Sequence, residues 1–195
     1  PTKALLKNAE VYDTVANKSK DFGITVENIS FDFGKTIKRS RNVSKKIVKG
    51  VEYLFKKNNI DRVDGFGKLN TSKGIDIIDA DGNITETVNA DKIIIATGAR
   101  TKSIPTIPVD REYVITSSEA MTLAEQPKEL IIIGAGVIGI EFAYFYSTIG
   151  TKVTVVEMLD SILPNEDKEV SSTLQASLSK RGVEFHLSTK VESVK

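Results

Sequence analysis

The 195-residue sequence has no cysteine, a single histidine and only five prolines. Without cysteine there is no disulfide scaffold and no thiolate zinc site within these residues. His186 cannot build a multi-histidine metal centre alone, so no metal site is expected. No apolar run approaches the ~20 residues of a membrane helix, and Ile93-Ile94-Ile95-Ala96 is strand-sized. Charge is balanced, with 27 Lys and Arg against 26 Asp and Glu, a net of +1. No strongly charged partner is therefore implied for the chain as a whole. Pro1-Thr2-Lys3 offers neither an initiating methionine nor a signal-peptide pattern. Val194-Lys195 reads as the start of a strand, so the chain reads as a piece of a longer polypeptide.

The composition, 40% hydrophobic, supports one large domain or two small ones. Pro1 suits a first helical turn, and Leu5, Ala9, Tyr12 and Ala16 share one face of the helix it opens. Gly23 follows its end, and residues 24–34 read as extended. A second helix is predicted over about 35–58, with Val43, Ile47, Val51, Leu54 and Phe55 as its apolar stripe. Its other face is basic: Lys35, Lys38, Arg39, Arg41, Lys45, Lys46, Lys49, Lys56 and Lys57. Short strands follow. Residues 61–64 lead into Gly65-Phe66-Gly67, and 75–79 and 84–88 flank Asp81-Gly82, a hairpin-turn pair. Residues 92–96 read as a buried strand running into Thr97-Gly98. Pro105, Pro108 and Pro127 mark 99–128 as a connection, with a short helix capped by Ser117 or Ser118. A domain boundary is expected near residue 110.

Beyond Pro127 the pattern becomes strand, glycine loop, helix, strand, helix, strand. Residues 129–133 read as a strand, apolar after Glu129, as in a parallel strand covered on both faces. Gly134-Ala135-Gly136-Val137-Ile138-Gly139 follows at once. A helix over 140–149 has Phe142, Phe145 and Tyr146 as anchors and is stopped by Gly150. A second strand covers 152–156, with Glu157 at its carboxyl end. Gly134 permits the tight turn, Gly136 lets the backbone approach a pyrophosphate, and Gly139 lets the helix pack on the strand. The helix N-terminus offers unpaired N–H groups and partial positive charge to phosphates. Glu157, 18 residues after Gly139, is placed to accept hydrogen bonds from the adenosine ribose. A carboxylate there repels the extra phosphate of NADP, so NAD is the expected ligand.

Four blocks, Pro1 to Leu6, Gly65-Phe66-Gly67-Lys68, Ile95-Ala96-Thr97-Gly98 and Gly134 to Glu157, extend the reading to the whole chain. In order and spacing they resemble the dihydrolipoyl dehydrogenase family of flavin-dependent pyridine nucleotide–disulfide oxidoreductases. The resemblance implies an α/β, Rossmann-like three-layer FAD/NAD(P)-binding fold, incomplete at both ends. Residues 1–110 would be the C-terminal part of an FAD-binding domain and 111–195 a truncated NAD-binding domain. It implies a parent enzyme in which dihydrolipoamide reduces a disulfide, the disulfide reduces FAD, and hydride passes to NAD.

Carried over, Lys3 lies near the flavin, Gly67 meets the adenine end of FAD, and Thr97, Gly98 and Ala99 belong to a second FAD motif. Gly134, Ala135, Gly136, Val137, Ile138, Gly139, Ile140, Glu141 and Glu157 contact NAD, and Val191 touches its adenine side. Lys3 would pair with Glu141 beside the flavin; without the family, each is an ordinary first-turn charge. The implied partners are a second copy of the parent chain and dihydrolipoamide on the lipoyl domains of 2-oxoacid dehydrogenase complexes or the glycine cleavage system. No nucleic acid and no membrane is implied. The compartment would be the bacterial cytoplasm, or the mitochondrial matrix in a eukaryote.

The family's redox cysteines, first FAD glycine loop and acid–base histidine have no counterpart here, so no catalytic residue is assigned. His186, in a predicted strand, matches no catalytic motif and reads as structural. Three other readings stay open. One is a sister flavin disulfide reductase, mercuric-reductase-like or glutathione-reductase-like, although Glu157 and Gly139 argue against the latter. Another is a non-catalytic NAD-binding or basic-helix interaction module for nucleic acid or an acidic partner, against a plain solvated face. The last is a bare folding unit, whose residues 1–110 would lack strands completing their sheet while 111–195 keep three.

Overall fold

The computed structural model describes residues 1–194. Two compact units emerge, Pro1–Lys45 with Thr101–Lys195, and Lys46–Arg100.

In the first unit, α1 (Thr2–Asp13) buries Leu5 and Ala9, four residues apart on one face. A π-helical turn and a 3₁₀ turn carry the chain to Gly23, which takes a left-handed φ of 70°. Helix α2 (Phe33–Lys57) opens in this unit, with Phe33, Thr36 and Ser40 buried. Arg39 ties it to α1 by donating to Ala4 O and Asn8 Oδ1. A four-residue helix, α3 (Ser117–Ala120), is capped by Thr116 and not by either predicted serine. Thr116 and Glu119 form a reciprocal capping box, which satisfies more orphan groups than a lone serine can.

A parallel sheet is the centre of this unit. Strands β4 (Glu129–Ile133), β5 (Lys152–Val156) and β6 (Glu184–His186) lie in that order, with Ile132 opposite Val155 and Val155 opposite Phe185. Helix α4 (Val137–Thr148) links β4 to β5, and α5 (Lys168–Lys180), capped by Asp167, links β5 to β6. This β-α-β-α-β succession is one wing of a Rossmann-like α/β fold. Its core gathers Leu5, Phe33, Phe142, Phe145, Tyr146, Val153, Val155, Ile162, Leu178 and Val183. Tyr146 is wholly buried and donates to Ala120 O at 2.6 Å. Two-sided cover of β4 is not observed. Leu130 and Ile132 pack on the core, but Ile131 is 68% exposed, because no element among the described residues lies on its face.

The second unit is an antiparallel meander of β1 (Phe66–Leu69), β2 (Gly74–Ile78) and β3 (Ile84–Asn89). The predicted hairpin is present. Gly82 sits at φ 87°, and Asp79 Oδ1 accepts the N–H groups of Asp81 and Asn83. One expectation fails here. Residues 92–96 form no strand, and Ile94 is 90% exposed. A buried parallel strand needs hydrogen-bonded neighbours, and no described strand pairs with it. The stripe of α2 is helical but open, with Ile47, Val51 and Leu54 exposed. The basic residues of α2 are exposed, except for a half-buried Arg41. Val194 lies in no strand, and Lys195 is outside the described residues.

Candidate functional site

The glycine loop leaves β4 through Gly134, whose φ of 100° a residue with a Cβ rarely adopts. Gly134 N–H still bonds Val156 O at 2.8 Å, so the turn starts flush with the sheet. Gly136 caps α4 in an extended conformation, and a Cβ added there would meet open space. That opening is a cradle for an approaching group. Gly139 is constrained from behind, because a Cβ there would land on Gly134 O and press Ile132. The first helical bond runs from Ile140 N–H to Gly136 O at 3.0 Å. The N–H groups of Val137, Ile138 and Gly139 are thus free of intrahelical partners. Val137 and Ile138 are exposed beside them, and Ile140 is buried as the helix's anchor.

Glu157 closes the site from the end of β5. Its Oε2 accepts Ala135 N–H at 2.7 Å and its Oε1 accepts Leu159 N–H at 2.8 Å. Its backbone is equally fixed, donating to His186 O and accepting from Thr189 N–H, both at 2.8 Å. Each carboxylate oxygen carries two lone pairs, so two acceptor positions stay open for ribose hydroxyls. Ala135 is fully buried, and its carbonyl accepts Leu163 N–H at 2.9 Å. The result is a rim with N–H donors that have no partner among the described residues on one side and a carboxylate on the other, suited to a diphosphate joined to a ribose.

Gly134 to Glu141 and Glu157 therefore lie along one edge of one fold. Val191 is half-buried in the irregular segment beyond β6. Lys3 is exposed and Glu141 half-buried, and no ion pair joins them among the described residues, although α1 and α4 pack together. Lys3 belongs to the first unit and Gly67, Thr97, Gly98 and Ala99 to the second, where all four are exposed and Gly98 has φ 74°. His186 lies in β6, 3.5 Å from Glu184, and its carbonyl helps fix Glu157. No cluster of His, Cys, Asp and Glu among the described residues could hold a metal.

Three residues escaped the sequence reading. Leu163 braces the loop with a left-handed φ of 47°, which no local pattern announces. Asp13 is buried and accepts from Asn17, Lys18 and Arg181. Burial alone would push its carboxyl up, but those hydrogen bonds outweigh it and hold it well below the usual carboxylate range. Arg181 also stands over the Tyr144 ring at 5.3 Å, so one acid ties α1 to α5 and, through Arg181, to α4. A signal existed for Asp13: it follows Leu5 and Ala9 at four-residue spacing on the buried face of α1.

A family described as pyridine nucleotide-disulphide oxidoreductase matches residues 1–195. The chain is 43% identical over 194 residues to dihydrolipoyl dehydrogenase of Chlorobaculum tepidum, covering all of this chain and 41% of that protein. It is 35% identical over 195 residues to the mitochondrial dihydrolipoyl dehydrogenase of Schizosaccharomyces pombe, covering 38% of it. The chain thus spans about two fifths of the length of these relatives. Among solved structures it resembles the HOCl-induced flavoprotein disulfide reductase RclA of Escherichia coli, with a TM-score of 0.78 and 28% identity. That match covers 99% of this chain and 40% of the other.

Proposed function

The chain belongs to the pyridine nucleotide-disulphide oxidoreductase family, and from that premise we propose that residues 129–157 carry the NAD site of a dihydrolipoyl dehydrogenase. The observation that carries this reading is the pairing of an open N–H cradle at Gly136 with the fixed carboxylate of Glu157. In the proposal, the free N–H groups of Val137, Ile138 and Gly139 hold the diphosphate, helped by the positive end of α4. Glu157 accepts the adenosine ribose hydroxyls and turns away a 2′-phosphate by like charge. Ile140 anchors the helix, and Val191 borders the adenine.

FAD belongs to the same proposal, with Lys3, Gly67, Thr97, Gly98 and Ala99 as the positions in this chain that face it. When bound, it supplies the relay of a hydride between a dithiol and the nicotinamide. Lys3 would bring positive charge near that centre, and Glu141 would balance it from the first turns of α4. The substrate is dihydrolipoamide on lipoyl domains of 2-oxoacid dehydrogenase complexes or the glycine cleavage system. The parent acts as a homodimer in the bacterial cytoplasm or the mitochondrial matrix, divided near residue 110 into FAD and NAD parts. The 28% identity to a reductase of another name favours one second reading, a different flavin disulfide reductase using the same dinucleotide edge.

Amide hydrogen exchange tests the site directly. Saturating NADH is expected to slow exchange at residues 136–139 and leave the meander, 66–89, unchanged. Protection absent from the loop would refute the assignment.

A further inference from the structure

Glu157 does more in this structure than present acceptors to a ribose. Resting on the NAD reading above, we propose that Glu157 is also a positioning residue for the glycine loop, and acts with Leu163 to preset the diphosphate cradle. Ala135, the second residue of the loop, is held from both sides. Its N–H is taken by Glu157 Oε2 at 2.7 Å and its carbonyl by Leu163 N–H at 2.9 Å. Leu163 itself is fixed: its side chain is buried, and its carbonyl accepts Glu166 N–H at 2.9 Å and Ser171 Oγ at 3.3 Å. Glu157 is fixed by β6 and by Leu159 N–H. The segment after β5 therefore grips the loop at its one fully buried residue, beside the open face of Gly136.

This second role has a sign opposite to the first. A carboxylate that served only the ribose would repel a nearby diphosphate, so removing it would leave unchanged or strengthen the binding of a ligand without ribose hydroxyls. A carboxylate that also holds the loop contributes to diphosphate binding through Ala135, so its removal weakens the same ligand.

The probe is 2′,3′-dideoxy-ADP, which keeps the diphosphate and adenine but has no ribose hydroxyls, titrated into the full chain in competition with NADH. Glu157→Ala is expected to weaken the probe about fivefold, the scale of one lost hydrogen bond. Glu157→Gln, equally uncharged but retaining one acceptor oxygen, is expected to lose less. Unchanged or tighter binding to Glu157→Ala, or equal losses in the two variants, overturns the positioning role and leaves the NAD reading standing. If the parent chain binds neither NADH nor the probe, the NAD reading fails, and amide exchange without ligand decides the inference. Ala135 N–H should then exchange faster in Glu157→Ala than in Glu157→Gln, with β5 protection equal in both; equal rates at Ala135 would overturn it.

Discussion

At the end of β5 every polar group of Glu157 is tied to backbone, and in the proposed NAD site this single carboxylate would meet the extra phosphate of NADP. A group so fixed cannot swing aside, so its charge discriminates fully. Glu157→Gln should therefore narrow the preference for NADH over NADPH about tenfold or more, read as the ratio of the two dissociation constants. Gly139 makes a second demand. Gly139→Ala would drive a Cβ into Gly134 O, which is backbone and cannot rotate away. Loss of NADH binding and about 2 kcal/mol of stability are expected by thermal unfolding; a variant that binds normally would contradict the geometry. These positions were legible in the sequence, because the glycine spacing and the following acid encode a local turn and helix start. Leu163 was not, since its part depends on a carbonyl 28 residues earlier in the chain (Ala135 to Leu163).

Between elements, Asp13 is a buried tie, accepting from Asn17, Lys18 and Arg181. Its carboxyl is held below the ordinary value of 3.8, so it binds a proton less readily folded than unfolded. Its stabilisation is complete above the unfolded value and is lost as pH falls toward the folded one. Melting curves between pH 6 and 3 should show the parent chain losing its advantage over Asp13→Asn in the acid limb. At pH 7 the variant should be less stable by about 2 kcal/mol, less than for a fully buried pair because Lys18 and Arg181 are part-exposed. An identical acid limb in both proteins would remove Asp13 from the account. Tyr146→Phe should cost about 1 to 2 kcal/mol, because Ala120 O would lose its buried donor. The helix predicted over about 35–58 forms over residues 33–57, and its apolar stripe lies open. Periodicity is a property of the segment, whereas burial depends on what faces it; Ile47 and Leu54 have the period without the partner. The same distinction explains residues 92–96, apolar enough for a buried strand yet unpaired among the described residues.

At the scale of the whole molecule, the proposed dinucleotide edge rests on three parallel strands and their two helices. The positions assigned to FAD are exposed and offer no enclosed surface within either unit. The chain on its own is accordingly expected to purify without flavin absorbance, and a flavin-loaded preparation would show that these residues suffice for FAD. Gly134 to Glu157 is proposed to bind NAD. Titration of the 195-residue chain with NADH and with NADPH, followed by nucleotide fluorescence, tests it most directly. One saturable NADH site is expected, with a dissociation constant at least about tenfold below that for NADPH. Equal affinities, a preference for NADPH, or no saturable binding would contradict it.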